Sequence, residues 1–164
     1  MRKTINRGLA VILYNQMATM AFGHLSEETL EAVMDNFVSL GKVAEHYQKL
    51  MEELSKRLYE GIDDSMKSDY NEMAKKATAE ELEAAFPKLF KLVQKQNAID
   101  ASLRSKDVGV ELALVDKKEF VKGVLKGKPS LTTVVFDLFE PMFKEEEKKE
   151  DEKVDFSELD ALMK

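Results

Sequence analysis

The chain contains no cysteine, which removes disulfide frameworks, thiolate zinc sites and cysteine nucleophiles by inventory. Histidine is nearly as scarce. His24 and His46 are the only two; they lack metal-ligand spacing, and no His-Glu-x-x-His occurs. Long apolar runs are missing too: none reaches the roughly 18 to 20 residues that a membrane helix needs. The most apolar early stretch, Leu9 to Phe22, is interrupted by Asn15, Gln16 and Thr19. Arg2, Lys3 and Arg7 precede it in the manner of a secretion signal, but the apolar centre is broken and runs straight into a helical pattern, so a cytoplasmic location is expected. No basic stripe interleaved with aromatics appears, so nucleic acid is not an expected partner.

What is present is charge, unevenly placed. The net charge is -6, and the stretch from Glu140 to Lys164 alone holds ten acidic and five basic residues, a net of -5. The rest is close to neutral. A mimic of DNA would need negative charge spread over a folded surface, and here the excess sits in a terminal stretch. With 164 residues, one domain followed by a tail is the expected organisation.

Helical periodicity dominates the first hundred residues. A first helix is expected from Thr4–Asn6 to Phe22, with Ile5, Leu9, Ile12, Leu13, Met17 and Met20 on one face and Gly23 ending it. Ser26 then reads as an N-cap, Glu27 and Glu28 suit the positive end of the helix dipole, and Leu25 can staple against Leu30. From there Leu30, Val33, Phe37, Leu40, Ala44, Tyr47, Met51, Leu54 and Leu58 alternate spacings of three and four without a break. Such a seam keeps one stripe turned toward another long helix at a shallow angle, with a gentle left-handed supercoil. The long helix is expected over about 26–61, with Gly61 as its stop and Asp63, Asp64 and Ser65 as a polar turn. A weak helical turn follows around Tyr70 to Ala77.

Thr78-Ala79-Glu80-Glu81 has the form of a capping box and opens a return helix over about 78–101. Pro87 either kinks that helix or restarts it at a first helical position. The fold class that results is mainly α: a long antiparallel helical hairpin or bundle over 1–143, with at most one short β element. That element is the run 108–115, where Val108, Val110, Leu112 and Leu114 alternate with Gly109, Glu111 and Ala113. One strand cannot stand alone, so it must pair within the chain, pair with another chain, or become an extended loop. Leu131 to Phe136 has the β-branched composition for a partner, yet Pro129-Ser130 and the spacing of Leu131, Val134, Val135 and Leu138 favour a helix. Asp116 to Glu119 resembles a second capping box, with Val115 and Phe120 as staple, opening a short helix that stops near Gly123.

Lys144 to Lys153 is ten charged residues in succession and reads as a solvated linker over 144–153. Beyond it, within 154–164, Phe156, Leu159, Leu162 and Met163 recur at helical spacing among acidic residues. A short amphipathic segment on a tether either docks on a protein partner or folds back on its own domain.

Catalytic patterns fail one by one. Gly123-Val124-Leu125-Lys126-Gly127-Lys128-Pro129-Ser130 is one residue short of a phosphate-binding loop and has a proline between lysine and serine. Asp63 and Asp64 lie in a hydrophilic turn without the apolar surroundings that raise a carboxyl pKa for acid catalysis. The nine methionines fall along helix seams, where they fill irregular gaps. The expectation is a protein that is not an enzyme and needs no cofactor or metal.

Asn15, the cap at Leu25 to Leu30, the seam segment Val43-Ala44-Glu45-His46-Tyr47-Gln48-Lys49-Leu50 and the later Val110-Glu111-Leu112 to Phe120 together resemble small helical proteins of uncharacterised function from tailed bacteriophages. The pattern covers about two thirds of the chain, and the acidic tail stands apart from it. The resemblance implies an accessory protein of phage assembly or of phage and host interaction, in the host cytoplasm or the virion, with no catalytic residues. The leading expectation is a non-catalytic protein–protein interaction or adaptor protein that presents Phe156, Leu159, Leu162 and Met163 to a protein partner. Two alternatives are a structural component or assembly chaperone that forms a homo-oligomer through the seam, and an inhibitor that occludes a host enzyme.

Overall fold

In the computed structural model, which describes residues 1–145 and 157–163, the chain opens with a strand rather than a helix. Strand β1, Arg2–Asn6, pairs antiparallel with β2, Asp107–Glu111, in the register Ile5 with Val108 and Lys3 with Val110. The partner of β2 is therefore neither Leu131 to Phe136 nor a second chain. It lies about a hundred residues upstream, where the helical pattern had been extended too far forward. Asn6 makes the transition. Its backbone is extended and its side chain accepts from the Leu9 N–H at 3.2 Å, so α1 spans Arg7–Thr19. Ile5 and Val110 are buried on the core side of the two-stranded sheet. The expected strand over 108–115 ends at Glu111, after which the chain turns inward at Leu112.

The long helix α2 runs Glu27–Leu58, capped by Ser26, with Glu27 and Glu28 in its first turn and Lys56 and Arg57 in its last. It stops short of Gly61, which takes a φ of +78°, a left-handed conformation natural to glycine that reverses the chain. The polar turn expected at Asp63 to Ser65 is instead the start of a helix. Asp63 accepts from the Ser65 N–H at 3.1 Å and opens α3, Asp64–Ala74. The return helix expected over 78–101 is two helices. Thr78 caps α4, Ala79–Ala85; Phe86 breaks the helical geometry; and Pro87 takes a first helical position of α5, Pro87–Ser105. The break follows from the missing proline N–H and the clash of its ring with the preceding turn.

After β2, Asp116 caps α6, Lys117–Gly127. This helix passes through Gly123, where a stop was expected. Gly123 is a contact point: an added Cβ would lie 2.5 Å from Leu25 Cδ2, and one on Gly127 would lie 2.8 Å from Ala21 Cβ. The two glycines let α6 approach the α1–α2 connection closely. Within 131–138 the helix α7 covers Thr133–Asp137, followed by a 3-10 turn at Glu140–Met142. Val115 and Phe143 then meet in an isolated parallel bridge, with the Lys144 N–H donating to the Val115 carbonyl at 2.9 Å. Helix α8, Ser157–Leu162, lies beyond.

Two apolar clusters hold these elements. The larger joins α1, the first half of α2, β2 and the segment from α6 to Phe143. At its centre Phe120 meets the rings of Phe136, Phe139 and Phe143 at 5.5–6.1 Å between centroids. The smaller consists of Tyr70, Leu82 and Leu89, with Tyr59, Phe86 and Val93 packed around them. Helices α2 and α5 bridge the two.

Candidate interaction surfaces

The seam of α2 faces its own chain. None of Leu30, Val33, Phe37, Leu40, Ala44, Tyr47, Met51, Leu54 and Leu58 is exposed, and Val33 and Leu40 are fully buried. Length explains how they are covered. At 1.5 Å per residue α2 is about 48 Å long and α1 about 20 Å, so one neighbour cannot span it. Helix α1 packs on the first half, where Tyr14 stacks on Phe37 with centroids 4.7 Å apart and lies over Gly41, whose added Cβ would sit 3.0 Å from Tyr14 Cε2. Helix α5 covers the second half in antiparallel sense: Tyr47 meets Asp100, and the Tyr59 hydroxyl donates to Gln96 Oε1 at 2.6 Å. The first helix and the return segment thus share the cover of α2, as its length requires, with the return contact made by α5 alone after the break at Phe86. The ends of α1 and α5 are clasped by the Arg7 N–H and guanidinium, which donate to the carbonyls of Lys106 and Leu103.

Polar groups fix the joints. Asn36 on α2, fully buried, donates through Nδ2 to the Ala113 carbonyl at 2.8 Å and accepts from the Ala113 N–H at 2.6 Å, fastening the segment after β2 to the long helix. Nothing in the local pattern marks Asn36, because its partner is 77 residues away. Between the two cores the Tyr47 hydroxyl hydrogen-bonds to Asp100 and accepts from Arg104 Nε at 3.0 Å. Burial, then the bond to Asp100, pushes the Tyr47 phenol above its ordinary value, and the same phenol raises the Arg104 guanidinium. At the start of α2 the Ser26 hydroxyl and N–H both donate to Glu119 of α6, holding its carboxyl below the ordinary value.

Apart from the single exposed side chains of Met1, Met66 and Val134, uncovered apolar surface among the described residues lies in two places. One is α8 with the residue that follows it, where Leu159, Leu162 and Met163 are 52%, 80% and 78% exposed, beside exposed Glu158 and Asp160. Phe156, the remaining residue of that expected face, lies outside the described residues. The other is the outer side of α1 and α2, where Met34 and Val38 reach solvent, Val38 beside an open groove with Tyr14, Phe37 and Gly41, and Ile12 reaches solvent beside a separate groove against Ala101 and Arg104 of α5. Ile12 was expected on the core face of α1; it points outward because that core takes only Ala10, Leu13 and Met17 fully.

His24 and His46 are exposed, and among the described residues no cluster of three or more His, Asp or Glu could hold a metal. The segment once compared with a phosphate-binding loop begins inside helix α6. No helix among the described residues is long and apolar enough to cross a membrane. The shifted groups, Tyr47, Tyr59, Arg104 and Glu119, each serve a joint between helices or a cleft wall. Comparisons with family models, with curated proteins and with solved structures each give no match.

Proposed function

We propose that the chain is a non-catalytic interaction protein whose recognition element is α8. The observation that carries this reading is the contrast between two apolar stripes of the same chain. The seam of α2 is covered by α1 and α5, whereas Leu159 and Leu162 of α8 and the adjoining Met163 are exposed. Residues three and four apart share one helix edge, so these three side chains form a short apolar ridge. Glu158 and Asp160 flank it, and the preceding stretch adds further acidic residues. The complementary partner is a protein with an apolar groove rimmed by lysine or arginine, the arrangement in which an amphipathic helix gains apolar burial in the groove and orientation from charge at the rim. Resemblance to small tailed-phage proteins supports an accessory role in assembly or in contact with the host, in the host cytoplasm or the virion. An oligomer formed through the seam would have to displace α1 and α5, which makes that alternative the less favoured.

The test is affinity capture from the native host with the full chain and with a Leu159→Asp/Leu162→Asp variant. The variant should keep the helical content of the full chain and lose the captured protein. Retention of the same protein at the same yield would remove α8 from the account.

A further inference from the structure

The cleft where α2, α3 and α5 meet joins an apolar floor to a single cation, and we propose that it binds a small monocarboxylate with an apolar body, of the arylalkanoate class. Its volume is about 340 Å³, at the lower end of the range of small-molecule sites. Leu89, fully buried, and Val93 of α5 form the apolar side, and the rings of Tyr59 and Tyr70 wall it. Tyr70 is 7% exposed, its ring set edge-on to Phe86, and its hydroxyl has no hydrogen-bond partner among the described residues. Tyr59, in contrast, already donates to Gln96. One side of the cleft is therefore apolar and aromatic, and the neighbouring phenol is free to donate.

Charge selects the ligand. Lys67 of α3 lines the cleft with its ammonium 5.6 Å from the centre of the Tyr59 ring. No aspartate or glutamate lines it among the described residues, although the chain as a whole is acidic. The nearby Asp64 carboxylate is 3.6 Å from Lys67 but 99% exposed, so solvent and salt screen that pair and leave it weak. A carboxylate entering the cleft meets the same ammonium against aromatic walls, where less water screens the attraction. One cation matches one negative charge, which favours a monoanion over a phosphate ester. Burial, and the neighbouring Tyr70, raise the Tyr59 phenol above its ordinary value, so the Tyr59 wall adds no negative charge at physiological pH.

The experiment is a titration of the isotope-labelled full chain with 3-phenylpropionate, followed by amide chemical shifts, with the neutral 3-phenylpropionamide as comparison. The acid should bind with a dissociation constant on the order of 0.1–1 mM, with shifts confined to residues 55–59, 67–71 and 89–96. The amide should bind at least about tenfold more weakly, and Lys67→Met should remove that preference. Tyr70→Phe should weaken the acid several-fold, with the rest of its spectrum superimposed on the parent. Lys67 lies at the surface and Tyr70→Phe retains the ring, so both variants are expected to fold. The absence of saturable shifts up to about 10 mM, equal binding of acid and amide, or unchanged binding by Lys67→Met would each show the cleft to be only a gap in helix packing.

Discussion

Asn36 makes both of its hydrogen bonds to one residue, Ala113, from a position with no exposure to solvent. Removing the amide leaves a buried N–H and a buried carbonyl without partners, and the cost is the desolvation of both. Asn36→Ala should therefore destabilise the fold by about 2–4 kcal/mol, read as a lower denaturant midpoint with an unchanged slope. Glu119 gives a prediction in pH. Its folded pKa is depressed, first by the bond from the Ser26 hydroxyl, so its contribution is present above the ordinary value of 4.5 and is lost as pH falls through the lower, folded value. Glu119→Gln should be less stable than the parent at neutral pH, and the difference should close on acidification below that range. At this scale the sequence was only partly legible. Ser26, Thr78 and Asp116 could be recognised as caps because their partners are three residues away. Asn36 and the Ser26 link to Glu119 could not, because their partners lie 77 and 93 residues away.

Helices join through small residues and one polar cluster. Gly123 of α6 admits Leu25 so closely that a Cβ would meet Leu25 Cδ2 at 2.5 Å. Gly123→Val should cost about 1–3 kcal/mol by overpacking, despite the gain in helix propensity over glycine, and thermal unfolding would show it. Tyr47, with Asp100 and Arg104, ties the middle of α2 to α5. Tyr47→Phe should lose about 1 kcal/mol near neutrality. Because the folded phenol has a raised pKa, its contribution is complete below the ordinary value of 10.0 and declines as pH rises above it, so the variant should show a shallower loss of stability in alkali. Heptads made α2 legible, and Pro87 marked the place where the return path is divided. Strand β1 was hidden because its Thr4-Ile5 core continues the helical spacing of α1; only the distant β2 reveals its pairing. Likewise, the glycine in α6 looks like a stop until Leu25 is placed against it.

The whole molecule places its large core at one end of α2 and its small core toward the other, with the seam covered between them by α1 and α5. Helix length alone showed that the rod needs more than one neighbour, and the first helix and the return segment share the task; the pattern of α2 could not say where along it each would lie. Apolar residues of α8 are left in solvent at the far end of the acidic stretch. A chain ending at residue 145, which keeps the Lys144 bond to Val115, should consequently unfold within about 0.5 kcal/mol of the full one, as followed by denaturant titration. The most direct measurement of the central claim is amide hydrogen exchange of the full chain across a wide range of protein concentrations. Protection of residues 30–58 should be the same at every concentration, while residues 157–163 remain unprotected beyond what a single isolated helical turn provides. Protection of α2 that grows with concentration, or strong protection of α8 in the chain alone, would contradict a self-covered seam and a free recognition helix.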